Sequence, residues 1–150
     1  MIRRPGELAR LLGHFQAGFI TAQPNAAHFA LAELEKQGVL LHMITGNNDR
    51  LHERAGSQQV HLKEPRYFLD SEEGWNWIRE GEIFLVAGVS HDEHGFLSFA
   101  RDQGLQVVVI APEPPSFLYS QDWFVPGRGE EILPALAAKS LKENECVRAS

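Results

Sequence analysis

Apolar residues recur along this chain at two spacings that alternate. Glu7 to Gln16 carries Leu8, Leu11, Leu12 and Phe15 at helical spacing. Ala27, Ala30, Leu31 and Leu34 share one face of a second predicted helix, which Asn25 can cap and Gly38 ends. Leu40 to Thr45, Tyr67 to Asp70, Ile83 to Val89 and Gln106 to Ala111 read as strands. Three of these are near-continuous apolar runs, as expected when both faces of a sheet are covered. Between them, Ser71 with Glu72 and Glu73 starts a helix carrying Trp75 and Ile78, and Phe96 to Gln103 forms another, closed by Gly104. A last helix is expected from about Ile132 to Leu141, with Pro134 in its first turn and Glu130 and Glu131 near its positive end. Strands alternating with helices predict an α/β domain with a largely parallel sheet and right-handed crossovers.

Composition narrows the picture. A chain of 150 residues with 43% hydrophobic content can bury about two thirds of its unfolded surface in one core. One domain is therefore expected over residues 1–141, followed by a polar tail, residues 142–150. The net charge of -6 and the absence of a dense run among the 14 basic residues argue against nucleic-acid binding. No apolar run approaches the roughly 20 residues of a membrane span. Met1-Ile2-Arg3-Arg4-Pro5 leads into an amphipathic pattern without a signal-peptide core, so a cytoplasmic location is the expectation. Cys146 is the only cysteine, so neither a disulfide nor a four-cysteine zinc site is expected, and it reads as an inert thiol of the tail.

The chemistry concentrates just after the first predicted strand, where open parallel sheets bind ligands. There the sequence runs Ile44-Thr45-Gly46-Asn47-Asn48-Asp49-Arg50-Leu51-His52-Glu53-Arg54-Ala55-Gly56-Ser57, preceded by Pro24-Asn25-Ala26-Ala27-His28 at a helix start. Together the two segments resemble the sirtuin family of NAD-dependent protein deacylases, whose pattern is roughly P-N-x-x-H followed by T-Q-N-I-D-x-L-H-x-x-A-G-S. The resemblance extends to about Leu136. Ile83 to Ser90 is similar to the family strand ending in G-T-S, and Val107 to Ala111 to the next strand, which normally ends in I-N. Asp122 to Gly127, followed by Glu131-Ile132-Leu133-Pro134-Ala135-Leu136, resembles the closing D-x-x-x-x-G and L-P-x-L. The implied fold is a Rossmann-like three-layer α/β domain with a mainly parallel sheet, lacking the usual first strand and the small zinc domain. No room for that zinc module is left between Lys63-Glu64-Pro65 and Tyr67-Phe68-Leu69.

Departures from the family pattern bear on function. Sirtuins place a glycine-rich G-A-G-x-S turn against the NAD phosphates, because glycines permit close backbone approach and a helix N-terminus favours the anion. On this reading the sequence begins beyond that turn, and a conventional pyrophosphate site is expected only if another chain supplies it. The family also has a catalytic histidine in the context L-H-G; alignment through Val60 puts Glu64 and Pro65 there, with His61 offset. A carboxylate of ordinary acidity is poorly matched to that proton transfer. Gly46 stands where the family has a ribose-contacting glutamine, and Ala111 where an asparagine often contacts adenosine.

What survives suggests a partial nucleotide pocket. Asn47 and Asp49 match family residues at the nicotinamide end of NAD, while Gly88 and Ser90 match strand-end residues near its ribose and phosphate. The alternative is that Asn47 and Asp49 cap a turn and Ser90 caps another. His28 and His52 match positions that are mainly structural. His91-Asp92-Glu93-His94 offers two imidazoles and two carboxylates that could meet a metal, but helix-start residues before Gly95-Phe96 are the plainer reading.

A missing central strand has a physical consequence. The strand ending at Thr45 must pair directly with the one ending at Ser90, or an edge is left open for a partner. Self-association is therefore expected, with Trp75, Trp77, Phe117, Tyr119 and Trp123 as candidate anchors or core aromatics. Function is expected to be that of a degenerate sirtuin-like domain with weak NAD or ADP-ribose binding, or an assembly role. The alternative is an NAD-dependent deacylase or NAD-consuming hydrolase completed by a partner chain.

Overall fold

The computed structural model describes residues 21–62, 72–92 and 94–148. The expected helix from Glu7 to Gln16, the strand from Tyr67 to Asp70, the Ser71 helix start, Glu64 and Glu93 lie outside the described residues. In chain order the elements are α1 (Ala26–Lys36), β1 (Met43–Thr45), α2 (Leu51–Ala55), β2 (Val60–Leu62), α3 (Glu72–Arg79), β3 (Ile83–Ala87), α4 (Phe96–Asp102), β4 (Gln106–Ala111), β5 (Trp123–Pro126) and α5 (Gly129–Arg148).

Helix α1 starts where Asn25 predicts. Its side chain accepts from the backbone N–H groups of Ala27 and His28, and the His28 ring in turn accepts from the Asn25 N–H. This reciprocal capping satisfies donors that a helix start otherwise leaves open. The P-N-x-x-H segment is thus a capping device. At the other end, the N–H groups of Val39 and Leu40 both bond the Leu34 carbonyl. That closure takes Leu40 and Leu41 out of the expected strand, which begins only at Met43.

Every strand pair is parallel, in two separate sheets of order β1-β2 and β3-β4-β5. β4 was fully legible in the sequence because its two faces are both covered. Val107 and Val109 point into one core with Ile78, Val86, Phe96, Leu97 and Ala100; Ile110 points into another with Ala30, Leu34, Leu133 and Ala137. Helices α3 and α4 cover one face and α1 and α5 the other, giving three layers. The two cores use apolar burial at about 25 cal/mol per Å² as their main source of stability.

The half-sheets are joined through these layers and not through a ladder. Ile44 of β1 packs against the first core, and Ala30 and Leu34 of α1 meet Leu133 and Ala137 of α5 in the second. Of the two outcomes expected for the strand ending at Thr45, direct pairing is not found: among the described residues β1 and β3 are not hydrogen-bonded neighbours.

Two further elements differ from expectation in extent. β3 stops at Ala87 because Gly88 turns the chain at φ +69°, a left-handed conformation that glycine adopts without steric cost. α5 starts at Gly129, so Pro134 lies in the second turn, and the helix runs through Arg148 into the segment read as a polar tail. The strands β2 and β5 were not foreseen. Of the candidate aromatic anchors, Trp75, Trp77 and Phe117 pack against the first core, while Tyr119 and Trp123 are exposed. Among the described residues no helix is long and apolar enough to cross a membrane.

Candidate functional site

The stretch from Thr45 to Ser57 folds around its own side chains. Buried Thr45 accepts the Asn47 N–H on Oγ1 at 3.1 Å, and Asp49 Oδ1 accepts the Leu51 N–H at 3.0 Å, starting α2. Arg50 between them sits in the left-handed region at φ 56°. Gly56 closes α2 at φ 111°, and a Cβ there would meet that of Ala32 at 3.9 Å. Ser57 is buried, and the Glu35 carboxylate holds the next two N–H groups, Gln58 at 2.9 Å and Gln59 at 2.8 Å. Much of the motif therefore fixes α2 against α1.

His52 projects from α2 towards His28, ring centroids 4.7 Å apart. Burial pushes its pKa below the usual imidazole value, and the neighbouring His28 adds to that; the carboxylates of Asp49 and Glu53 oppose it. Its Nδ1 is buried without a hydrogen-bond partner.

Between the half-sheets runs a cleft of about 750 Å³ whose walls are residues 38–47 on one side and 81–92 on the other. At its mouth lie the turns that follow β1 and β3. Asn47, Gly88 and Ser90 all line this cleft, as do His52, His91 and Asp92. Three of the four residues singled out as cofactor-binding are thus brought together at the carboxyl ends of parallel strands. Asp49 is not among the lining residues; it is engaged as a cap. Gly88 has open space on the side where a Cβ would project. Ser90 Oγ lies 2.7 Å from His91 Nδ1.

Other candidates have structural roles here. Asp92 accepts long bonds of 3.4 Å from the N–H groups of Leu97 and Ser98 at the start of α4. Among the described residues no three His, Cys, Asp or Glu side chains converge as a metal site. His61 is drawn into a cluster that sequence reasoning missed: it stacks on Trp77 at 3.6 Å, and its Nε2 lies 3.2 Å from His42 Nδ1. His42 Nε2 is 3.0 Å from Glu80 Oε2. No local spacing signals this contact, because it joins three separate elements.

Comparison with known proteins agrees with this architecture. The model of the Sir2 family matches residues 4–64, which include both motif segments. The chain is 56% identical over 43 residues to an NAD-dependent protein deacetylase of Saccharolobus solfataricus, covering 29% of this chain and 17% of that protein. It is 25% identical over 182 residues to NAD-dependent protein deacetylase 1 of Pyrobaculum aerophilum, covering 88% of this chain and 72% of that one. Among solved structures, a Sir2 homologue in complex with ADP-ribose superimposes with a TM-score of 0.72 at 24% identity, over 83% of this chain and 70% of that chain. With its capped P-N-x-x-H helix start and its post-strand motif the chain is similar to the Sir2, or sirtuin, family over residues 4–64, and its parallel three-layer architecture is that of the solved Sir2 homologue.

Proposed function

We propose that this chain is a reduced sirtuin-like module, cytoplasmic, that holds NAD or ADP-ribose weakly at the mouth of the cleft and does not deacylate proteins by itself. The observation that carries the reading is the convergence of Asn47 with Gly88 and Ser90 on one cleft at the carboxyl ends of β1 and β3. That is where an open parallel sheet takes a nucleotide. Gly88 leaves room for a phosphate or ribose to approach the backbone, and the Asn47 amide and Ser90 hydroxyl can bond ribose hydroxyls. Similar solved structures are complexes with ADP-ribose and with NAD. NAD would bring an electrophilic ribose carbon carrying a nicotinamide leaving group. For proton transfer at that sugar, neutral His52 is held beside His28 in a structural pair, and no zinc is assigned.

Isothermal titration with NAD and ADP-ribose tests this. Micromolar to submillimolar binding that falls at least tenfold in Asn47→Ala/Ser90→Ala, with no NAD turnover, is the expected result. Absence of binding at millimolar ligand removes the nucleotide from the proposal. A second reading, a deacylase or NAD hydrolase completed by a partner chain, is favoured by the outer edges of β1 and β3, beside which no other strand lies among the described residues. NAD turnover that requires a second polypeptide would establish it.

A further inference from the structure

Strand alternation builds a side-chain cluster at the amino end of β1, away from the residues at the cleft mouth. Ile44 packs against the first core and is in register with His61 of β2. Side chains two residues apart share a face of a strand, which carries His42, just before β1, to the face of Ile44 and His61. Helix α3 lies against that face. His61 stacks on Trp77 with ring centroids 3.6 Å apart and planes inclined by only 16°, and Glu80 follows the last residue of the helix.

The two imidazoles meet through nitrogen atoms. His42 Nδ1 and His61 Nε2 are 3.2 Å apart, and their ring planes are inclined by 44°, so these two rings do not stack on each other. On its other side His42 Nε2 lies 3.0 Å from Glu80 Oε2. An ionised carboxylate only accepts, so neutral His42 carries its proton on Nε2 and turns the lone pair of Nδ1 towards His61. With no ion bound, the His61 Nε2–H donates to that lone pair.

The same separation suits two nitrogens held by one ion. Zinc–nitrogen bonds of about 2.0–2.1 Å at a tetrahedral angle place the two donor atoms roughly 3.3 Å apart. The Glu80 contact is the arrangement in which a carboxylate on the remote nitrogen fixes the tautomer of a metal-binding histidine and raises its basicity. Trp77 restrains the second ring through the stack. His42, Trp77 and Glu80 all line the cleft, and 19% of the His42 side chain is exposed, which gives an ion a way in.

We propose that His42 Nδ1 and His61 Nε2 form a site for one divalent transition-metal ion, with Glu80 as its positioning carboxylate and water in the remaining coordination positions. Two neutral imidazoles select ions such as Zn(II) and Cu(II), whereas Mg(II) and Ca(II) take oxygen ligands. Among the described residues no third His, Cys, Asp or Glu converges here. The site is therefore open and exchangeable, in contrast to the four-ligand sites that close around a structural zinc. When the ion binds, the His61 proton leaves Nε2, and coordination replaces the hydrogen bond between the rings. It fastens β2 to the residue leading into β1 and, through Glu80 and Trp77, both to α3. Nucleotide binding is not required, since Asn47, Gly88 and Ser90 lie at the opposite, carboxyl ends of the strands.

Calorimetric titration of the chelator-treated chain with Zn(II), joined to long-range ¹H–¹⁵N spectra of its histidine rings, tests the site. Saturable binding of one Zn(II) is expected, with no response to Mg(II). The ¹⁵N resonances of His42 Nδ1 and His61 Nε2 should move to metal-bound positions while His42 Nε2 keeps its proton. His42→Asn and His61→Asn should each weaken binding at least tenfold. Glu80→Gln should weaken it about tenfold, as removal of a supporting carboxylate does, and His94→Asn should leave it unchanged. Far-ultraviolet dichroism establishes that each variant is folded; if either histidine variant is not, the ring resonances of the parent decide alone. Zinc held equally well by His42→Asn, or ring shifts confined to other histidines, means adventitious binding and overturns the site. Absence of binding at millimolar Zn(II) overturns it as well. Full affinity in Glu80→Gln overturns the positioning role of that carboxylate. Loss or retention of NAD binding moves none of these readouts, so the nucleotide reading stands or falls separately.

Discussion

Single residues in this chain show how a motif can be legible while its role is not. Asn47, Gly88 and Ser90 were singled out by their match to the sirtuin pattern, and they line one cleft because strand ends converge in a parallel sheet. Asp49 carries the same kind of signal, yet its carboxylate is engaged by the Leu51 N–H. His52 is the clearest case of a residue whose physics depends on its surroundings. Burial, reinforced by His28, lowers its pKa, so the folded state favours the neutral ring. The unfolded chain then binds more protons below its ordinary value of about 6.5. Stability from this group is fully present above that pH and is lost as pH falls towards the lower folded value. Thermal unfolding at pH 7.5 and 5.5 should accordingly show a smaller acid drop in His52→Gln than in the parent. Equal drops would mean that folding does not lower the pKa of His52.

Among the elements, α1 and β4 were readable because local and tertiary signals agree: a capping residue at one, an apolar run buried on both faces at the other. β2 and β5 were not, since they have only 3 and 4 residues and none of those residues is fully buried. The far end of α5 lacks an apolar periodicity, and its helical state follows from continuation of the ladder. The loop before β5 illustrates a further tertiary term. Arg101 from α4 forks onto Asp122 with contacts of 3.1 and 2.5 Å and also donates to the Phe117 carbonyl at 3.0 Å. The Tyr119 N–H donates to Asp122 at 2.8 Å, and the guanidinium lies 4.1 Å from the Tyr119 ring. Burial alone would raise the Asp122 pKa, but the bonds from Arg101 and the Tyr119 N–H hold it below the usual carboxylate value. Both side chains are buried, so removing one partner leaves an uncompensated charge. Asp122→Ala is therefore expected to cost about 3–5 kcal/mol, whereas Arg101→Met/Asp122→Leu costs much less because no charge remains. Denaturant titration of the two variants checks the order. Equal losses would show that the Asp122 contacts act through loop shape and not through charge.

At the scale of the whole molecule, the two half-sheets differ in how they are held. β4 has a strand on either side and a core on either face. Among the described residues β1 and β2 pair only with each other, over 3 residues each, and Ile44 packs β1 against the first core. Local opening follows the density of such support, and a two-stranded sheet is marginal by itself. The β1–β2 half should therefore open without global unfolding. Native-state hydrogen exchange should find the β4 amides Val108 and Ile110 exchanging with the global unfolding free energy, and the Met43 and Thr45 amides exchanging through a smaller opening. Equal protection of β1 and β4 would show that the apolar layers already join the halves into one cooperative unit.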